Sequence, residues 1–201
     1  MSGRTDRMSR LDRLAASPAT AGDWLRLANQ KVLGARPDKE PGQWKQQPNQ
    51  AGSTLFVRPE LVEGTLRKAW PLMGTLELPM QRALTAMFIV SEVHPFTDGN
   101  GRTARLLMNC YLSAEQQCRI VVPTVFREDY LLPLKALSHQ ADATGYIRGM
   151  RLCQAWTAEL DYAGVTVPQM KAQLAACNAL REDARTYRLL SPRTGAPMAV
   201  P

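Results

Sequence analysis

The segment from His94 to Arg105 constrains the fold of this chain more than any other. It reads HPFTDGNGRTAR and is flanked on both sides by apolar, helix-forming sequence. This pattern predicts one helix that ends at His94 and a second helix that opens at the glycines. The N–H groups at the start of a helix are unpaired and attract anions, and glycine lets the backbone approach an anion closely. The segment therefore predicts two helices joined by a loop, with an anion site at the start of the second.

The polar side chains of this segment have complementary chemistry. Arg102 and Arg105 are three positions apart, so both can reach over one anion. Asp98 would hold Mg²⁺ beside a polyphosphate. The imidazole of His94, with an ordinary pKa near 6.5, can accept a proton from a hydroxyl group at neutral pH. Phe96 is predicted to turn inward as a structural anchor for the loop.

Each of these residues also has a simpler interpretation when taken alone. A histidine before a proline is usually a helix-end residue, and Asp98–Gly101 is a good hairpin turn by residue type. Two arginines on one helix commonly form a solvated face. The occurrence of all of them in one window favours the functional interpretation. Other phosphate loops are excluded, because the chain has neither a GxxxxGK sequence followed by Ser or Thr nor GxGxxG after a strand.

Composition restricts the class of protein. The chain has 201 residues and a formal net charge of +7, which favours an anionic ligand or an acidic partner, although an arginine-rich composition would also explain it. Four cysteines without paired spacing and only two histidines do not suggest a zinc site. We find no secretory signal, no bilayer-spanning run and no aromatic interleaving typical of nucleic-acid binding. These features predict a cytoplasmic protein with reduced thiols and with neither a membrane nor a nucleic-acid partner.

The periodicity of apolar residues predicts an all-α protein with one small β element. A flexible basic arm is expected at residues 1–22, with Gly22 or Asp23 capping the helix that follows, and a disordered tail at 191–201. A loop is expected at 34–52 and a strand at 53–57. Helices are predicted at 23–32, from Pro59 onward, at 79–93, from the glycines to Leu112, and at 128–138, 145–160 and 167–188.

The His94–Arg105 segment resembles the active-site signature of the Fic (filamentation induced by cAMP) family, His-x-Phe-x-Asp/Glu-Gly-Asn-Gly-Arg-x-x-Arg, and matches every specified position. Pro41–Lys45 resembles a second family segment, with Trp and Lys in place of the commoner Tyr and Arg. Residues 53–57 fall where the family carries a substrate-docking flap. The resemblance covers roughly residues 25–165. It implies a Fic-type helical bundle with a small β-hairpin flap, a Fic domain at 23–165 and a helical extension at 166–190.

The resemblance implies transfer of AMP from ATP to a Tyr, Thr or Ser hydroxyl of a target protein. His94 would be the base, Asp98 would bind Mg²⁺, and Arg105 would clamp the terminal phosphate. The flap would bind the target backbone as an added strand. The resemblance also implies an anion hole formed by Gly99, Asn100 and Gly101, and a phosphate contact from Arg102. Target docking would come from Thr54, Leu55, Phe56 and Val57.

Many members of the family are inhibited by a helix with the sequence Ser/Thr-x-x-x-Glu-Gly/Asn, whose glutamate pairs with the second arginine. This chain has no intact copy, and Glu182 is only a degenerate candidate. The resemblance therefore predicts a toxin restrained by a separate small antitoxin that supplies a glutamate to Arg105. Alternatives left open are another nucleotide donor, removal of AMP, a non-catalytic regulatory module, and an effector delivered into a host cell.

Overall fold

The computed structural model describes residues 18–52 and 54–198. These residues are mostly helical, with one two-stranded sheet, which confirms the predicted fold class. Short 3-10 turns lie at Pro37–Lys39, Pro59–Leu61, Trp70–Thr75 and Thr124–Phe126. The α-helices are α1 Pro18–Val32, α2 Val62–Ala69, α3 Pro79–Val93, α4 Asn100–Ala114, α5 Arg127–Gln140, α6 Thr144–Glu159 and α7 Val167–Ala176.

The first helix begins earlier than the sequence pattern predicted. Its described part, Pro18–Val32, already includes residues 18–22, so Gly22 and Asp23 lie inside the helix and do not cap it. Residues 18–22 are therefore helical and not part of a flexible arm. The rest of the predicted arm, residues 1–17, lies outside the described residues.

The β element is a short antiparallel hairpin. Strand β1, Gln50–Ala51, pairs with β2, Thr54–Leu55, in the register that places Gln50 opposite Leu55. The predicted hairpin is present. Its second strand ends at Leu55, before the predicted end at residue 57, and its first strand lies in the segment that was predicted as a loop. We call residues 50–52 and 54–57 the flap.

Residues 18–117 form one compact unit. Helices α3 and α4 pack against each other, α1 packs against α4, and α2 packs against α1 and α3. Their apolar faces supply the core, so the loop between α3 and α4 is fixed at both ends by buried helices. Fully buried side chains of this unit include Leu25, Trp70, Met73, Met87, Leu107, Met108 and Leu112.

Residues 118–198 form a second compact unit, in which α5 packs against α6. Its core cluster contains Val125, Trp156, Leu160, Cys177, Ala179 and Leu189. The domain boundary predicted at residue 165 and the end of the helical extension predicted at residue 190 stay predictions. None of the helices in the described ranges is long and apolar enough to cross a membrane.

The prediction of one helix over 167–188 is wrong, because α7 ends at Ala176. Asn178 adopts a left-handed conformation with φ 59°. Its N–H donates to the Ala175 carbonyl, and the Ala179 N–H donates to the Leu174 carbonyl. These two bonds define a Schellman motif, for which asparagine is the usual alternative to glycine.

The prediction of a disordered tail from residue 191 is also wrong for the part that the structure describes. The Ser191 N–H donates to the Ala196 carbonyl, and Leu190 forms an antiparallel bridge with Pro197. The indole N–H of Trp156 donates to the Leu190 carbonyl at 3.0 Å. A hydrogen-bonded turn therefore folds this segment back on itself. Residues 199–201 lie outside the described residues.

Candidate active site

His94 lies directly after the last residue of α3, in a left-handed conformation with φ 49°. Its N–H donates to the Val90 carbonyl, which closes the last turn of the helix. The ring Nδ1 lies 3.1 Å from the Ser91 carbonyl oxygen. Since a carbonyl oxygen can only accept, Nδ1 carries the proton and Nε2 keeps its lone pair. The backbone thus selects Nε2 as the basic atom.

The face of the His94 ring is covered by Phe56 of the flap. The two rings are stacked, with centroids 3.8 Å apart and planes 11° apart. Burial lowers the pKa of His94 below its ordinary 6.5, and the nearby ammonium of Lys45 lowers it further. The Ser91 carbonyl and the Asp98 carboxylate oppose this shift. The imidazole is therefore neutral, and able to accept a proton, at pH 7.

The N-terminus of α4 presents free N–H groups. The first helical hydrogen bond runs from the Thr103 N–H to the Gly99 carbonyl, at 2.9 Å. The N–H groups of Asn100, Gly101 and Arg102 therefore have no acceptor within the helix. Three such donors, together with the positive end of the helix dipole, form a site for an anion.

Gly99 occupies a position where any other residue would be strained. Its φ of 79° is left-handed, and a Cβ atom there would lie 3.0 Å from Nδ2 of Asn29 and 3.2 Å from Cγ of Leu33. The chain therefore turns into α4 while pressed against α1.

The side chain of Asn100 holds the loop and does not face a ligand. Asn100 is buried, its Oδ1 accepts the N–H of Phe96, and its Nδ2 donates to the carbonyl of Phe96, both at 2.8 Å. These bonds use the amide oxygen and one of the two Nδ2 protons, while the backbone N–H of Asn100 stays without an acceptor in the helix. Phe96 itself is 1% exposed and packs against the Trp44 ring, with centroids 5.0 Å apart.

Asp98, Arg102 and Arg105 come together beside this helix end. Both carboxylate oxygens of Asp98 lie 3.4 Å from Nη2 of Arg102, and Oδ1 also accepts the Gly99 N–H. Nη1 of Arg105 lies 3.4 Å from the point where a Cβ on Gly101 would be. In the described part of the chain, Arg105 has no carboxylate partner. Its guanidinium is therefore available to an anion at the same helix end.

A metal bound by protein side chains alone does not fit this site. Across residues 18–52 and 54–198 there is no group of three His, Cys, Asp or Glu that could hold one. Mg²⁺, however, usually keeps several waters and takes one or two carboxylates together with substrate phosphates. The half-exposed carboxylate of Asp98, beside the anion site, fits that mode of binding.

The flap residues have different surroundings. Thr54 and Leu55 belong to β2, and the Leu55 side chain is 76% exposed. Phe56 covers His94, and Val57 is partly buried. Of the four residues predicted to dock a target, Thr54 and Leu55 are therefore the two that lie in a strand, where an extended segment of another protein could pair.

Two buried polar groups hold this site: Asn29 was not identified from the sequence, and Lys45 was noted only as the last residue of the Pro41–Lys45 family segment. Asn29 of α1 donates from Nδ2 to the Asp98 carbonyl at 2.9 Å, and its Oδ1 accepts the N–H of Gly42. Lys45 is 1% exposed and donates from Nζ to Oδ1 of Asn49 at 2.6 Å; burial lowers the pKa of Lys45 to about 8. A single asparagine or lysine in an otherwise polar stretch gives no sequence signal of burial.

Glu182, the degenerate inhibitory candidate, lies on an exposed bend after α7 and not on a helix. Its surroundings are those of a solvated charge.

The sequence profile of the Fic/DOC family matches residues 20–112. A protein adenylyltransferase Fic of Nematostella vectensis is 29% identical over 143 residues, which cover 69% of this chain and 33% of that protein. Protein adenylyltransferase fic-1 of Caenorhabditis elegans is 32% identical over 124 residues, or 60% of this chain and 24% of that protein. This chain thus spans a third or less of the curated relatives it matches.

Solved Fic structures share the fold. Fic-1 of C. elegans superposes with a TM-score of 0.57 at 26% identity, over 76% of this chain and 48% of that chain. A Fic-domain signaling protein of Bacteroides thetaiotaomicron superposes with a TM-score of 0.56 at 19% identity, over 81% of this chain and 73% of that chain.

Proposed function

We propose, from the premise that residues 20–112 form a domain of the Fic/DOC family, that this protein transfers AMP from ATP to a hydroxyl group of a target protein. One observation carries the proposal. The Ser91 carbonyl fixes the His94 tautomer so that Nε2 is basic, and the same short loop leads from this ring to the free N–H groups of α4. A proton acceptor and a phosphate site are thereby held on one rigid segment.

In the proposed reaction the target hydroxyl oxygen attacks the α-phosphorus of ATP. A new O–P bond forms, the bond between the α-phosphorus and the bridging oxygen breaks, and pyrophosphate leaves with that electron pair. Nε2 of His94 takes the hydroxyl proton. The N–H groups of Asn100, Gly101 and Arg102 bind the phosphate oxygens, and Arg105 binds the terminal phosphate. Thr54 and Leu55 align the target as an added strand.

The experiment that tests this function compares labelled nucleotides. Purified protein, Mg²⁺ and a bacterial lysate are incubated with ATP labelled on the α-phosphate or on the γ-phosphate. We expect a protein band labelled only from the α-position. A band labelled from the γ-position would mean phosphoryl transfer, and stronger labelling from α-labelled UTP, CTP or GTP would mean a different donor. Either result contradicts the proposal.

Asp98 is the residue that would hold Mg²⁺, which neutralises phosphate charge when bound. We expect Asp98→Asn to lower the transfer rate by about 10²-fold, and EDTA to abolish labelling in the wild type. Asp161→Asn is the matched control, because Asp161 is an exposed carboxylate of the second unit. A wild-type rate in Asp98→Asn across a Mg²⁺ titration would contradict the assignment.

The pH dependence follows from the lowered pKa of His94. The base form is the neutral imidazole, so activity is lost as pH falls through the pKa of the folded protein. Because burial places that pKa below 6.5, we expect the acid limb of the transfer rate to have its midpoint below pH 6.5. A rate profile from pH 5 to 8 measures it. A midpoint above 6.5 would show that burial does not control the base.

We further propose that Arg105 is the contact point for a separate acidic antitoxin chain. Two observations support this: Arg105 has no carboxylate partner among residues 18–52 and 54–198, and the net charge of the chain is basic. An antitoxin glutamate bonded to Arg105 would occupy the position of the terminal phosphate. The test is whether an adjacent gene encodes Ser/Thr-x-x-x-Glu-Gly/Asn and whether its product abolishes labelling. A product that binds without inhibiting would contradict the proposal.

A further inference from the structure

We propose that Lys45 and Asn49 form a positioning pair that holds the flap over His94 and fixes the loop behind it. The catalytic meaning of this pair rests on the proposed function. Its structural effect can be measured without any nucleotide.

The ammonium of Lys45 is bonded to neutral groups and not to a carboxylate. Nζ donates to Oδ1 of Asn49 at 2.6 Å and to the carbonyl of Val93 at 3.4 Å. The backbone N–H of Lys45 donates to the Pro95 carbonyl at 2.9 Å. Val93 is the last residue of α3, so the cation lies at the negative end of the helix dipole. Lys45 therefore contacts the residues on both sides of His94.

Asn49 connects Lys45 to the flap and to the loop. While Oδ1 accepts from Lys45, Nδ2 donates to the carbonyl of Phe96 at 3.0 Å. The backbone carbonyl of Asn49 accepts the N–H of Phe56 at 3.2 Å. Phe56 then stacks on the imidazole of His94. Asn49 thus links the buried cation to the loop through its side-chain amide, and it links both to the residue that covers the base through its backbone carbonyl.

The flap needs such an anchor because its own pairing is weak. Each strand has two residues, and an isolated two-stranded hairpin is marginally stable in water. The stacking of Phe56 therefore depends on the bonds at the base of the hairpin. Loss of the Asn49 side chain would release the flap while leaving the charge of Lys45 in place.

The test uses NMR of protein labelled with ¹³C-histidine. The chain has two histidines, His94 and His139, so His94→Asn assigns both signals. A ring stacked at 3.8 Å shields the protons of its neighbour, and Phe56→Ala gives the reference for an uncovered imidazole. In Asn49→Ala we expect the His94 protons to shift toward that reference and its titration midpoint to rise toward 6.5. His139 should not move.

Lys45→Met is expected to shift the same signals in the same direction. Lys68→Met, at an exposed lysine of α2, is the matched control and should leave them unchanged. In the labelling assay we expect Asn49→Ala to lower the rate at saturating ATP about tenfold, with the KM for ATP unchanged.

Wild-type His94 signals and an unchanged titration in Asn49→Ala would overturn the positioning pair, even if Lys45→Met fails to fold. A shifted His94 spectrum in a protein that labels no target would contradict the proposed function instead, and the pair would stand.

Discussion

Replacing His94 with asparagine is expected to lower the rate of AMP transfer by about 10²- to 10⁴-fold, the usual contribution of a positioned general base. Asparagine is preferred to alanine here because His94 has a φ of 49°, and asparagine tolerates this left-handed region better than alanine does. The amide cannot accept a proton at neutral pH. The loss would therefore report the missing base and not a distorted loop.

The measurement is the initial rate of label transfer from α-labelled ATP, together with ATP affinity from calorimetry. His139→Asn is the matched control, because His139 is the second histidine of the chain and lies exposed on α5. We expect it to act like the wild type, and we expect His94→Asn to bind ATP within about twofold of the wild type because the phosphate contacts lie on α4. A His94→Asn rate within tenfold of the wild type would rule out the base.

The anion loop could be predicted from sequence because its signals are local. Glycine, proline and charge patterns placed the end of α3, the start of α4 and the position of the hairpin. Of the two corrections, one has a local cause and the other has a long-range cause. Asn178 ends α7 by a Schellman motif, a stop signal that is weaker in asparagine than in glycine. The ordered turn at 191–198 depends on a contact with Trp156, which lies 34 residues from its acceptor, Leu190.

The support of the site could not be predicted, because it depends on long-range contacts of buried polar groups. Asn29 bonds to the Asp98 carbonyl 69 residues away, and Lys45 to the Val93 carbonyl 48 residues away. Nothing in a single sequence distinguishes these side chains from solvated ones. The motif thus contains the proposed reacting groups, whereas much of their orientation comes from residues outside it.

The side chain of Asn100 lies inside the signature and also positions the loop, and its removal gives the second large effect. The family resemblance assigned Asn100, with Gly99 and Gly101, to the anion hole. In the structure its amide is bonded at both ends to the backbone of Phe96. Removing the amide leaves the buried N–H of Phe96 without an acceptor, whereas the Phe96 carbonyl keeps its bond from Asn49. One unsatisfied buried donor costs about 1–3 kcal/mol.

We therefore expect Asn100→Ala to lower the free energy of unfolding by about 2 kcal/mol in a denaturant titration. Thr97→Ala is the control from the same loop, since Thr97 is exposed and its hydroxyl lies 3.5 Å from Glu40; it should change stability by less than about 0.5 kcal/mol. At a temperature where Asn100→Ala stays folded, its transfer rate should still fall by about tenfold or more, because the N–H groups of α4 are no longer aligned with His94. Wild-type stability with a reduced rate would instead place the Asn100 amide on the nucleotide, as the sequence suggested.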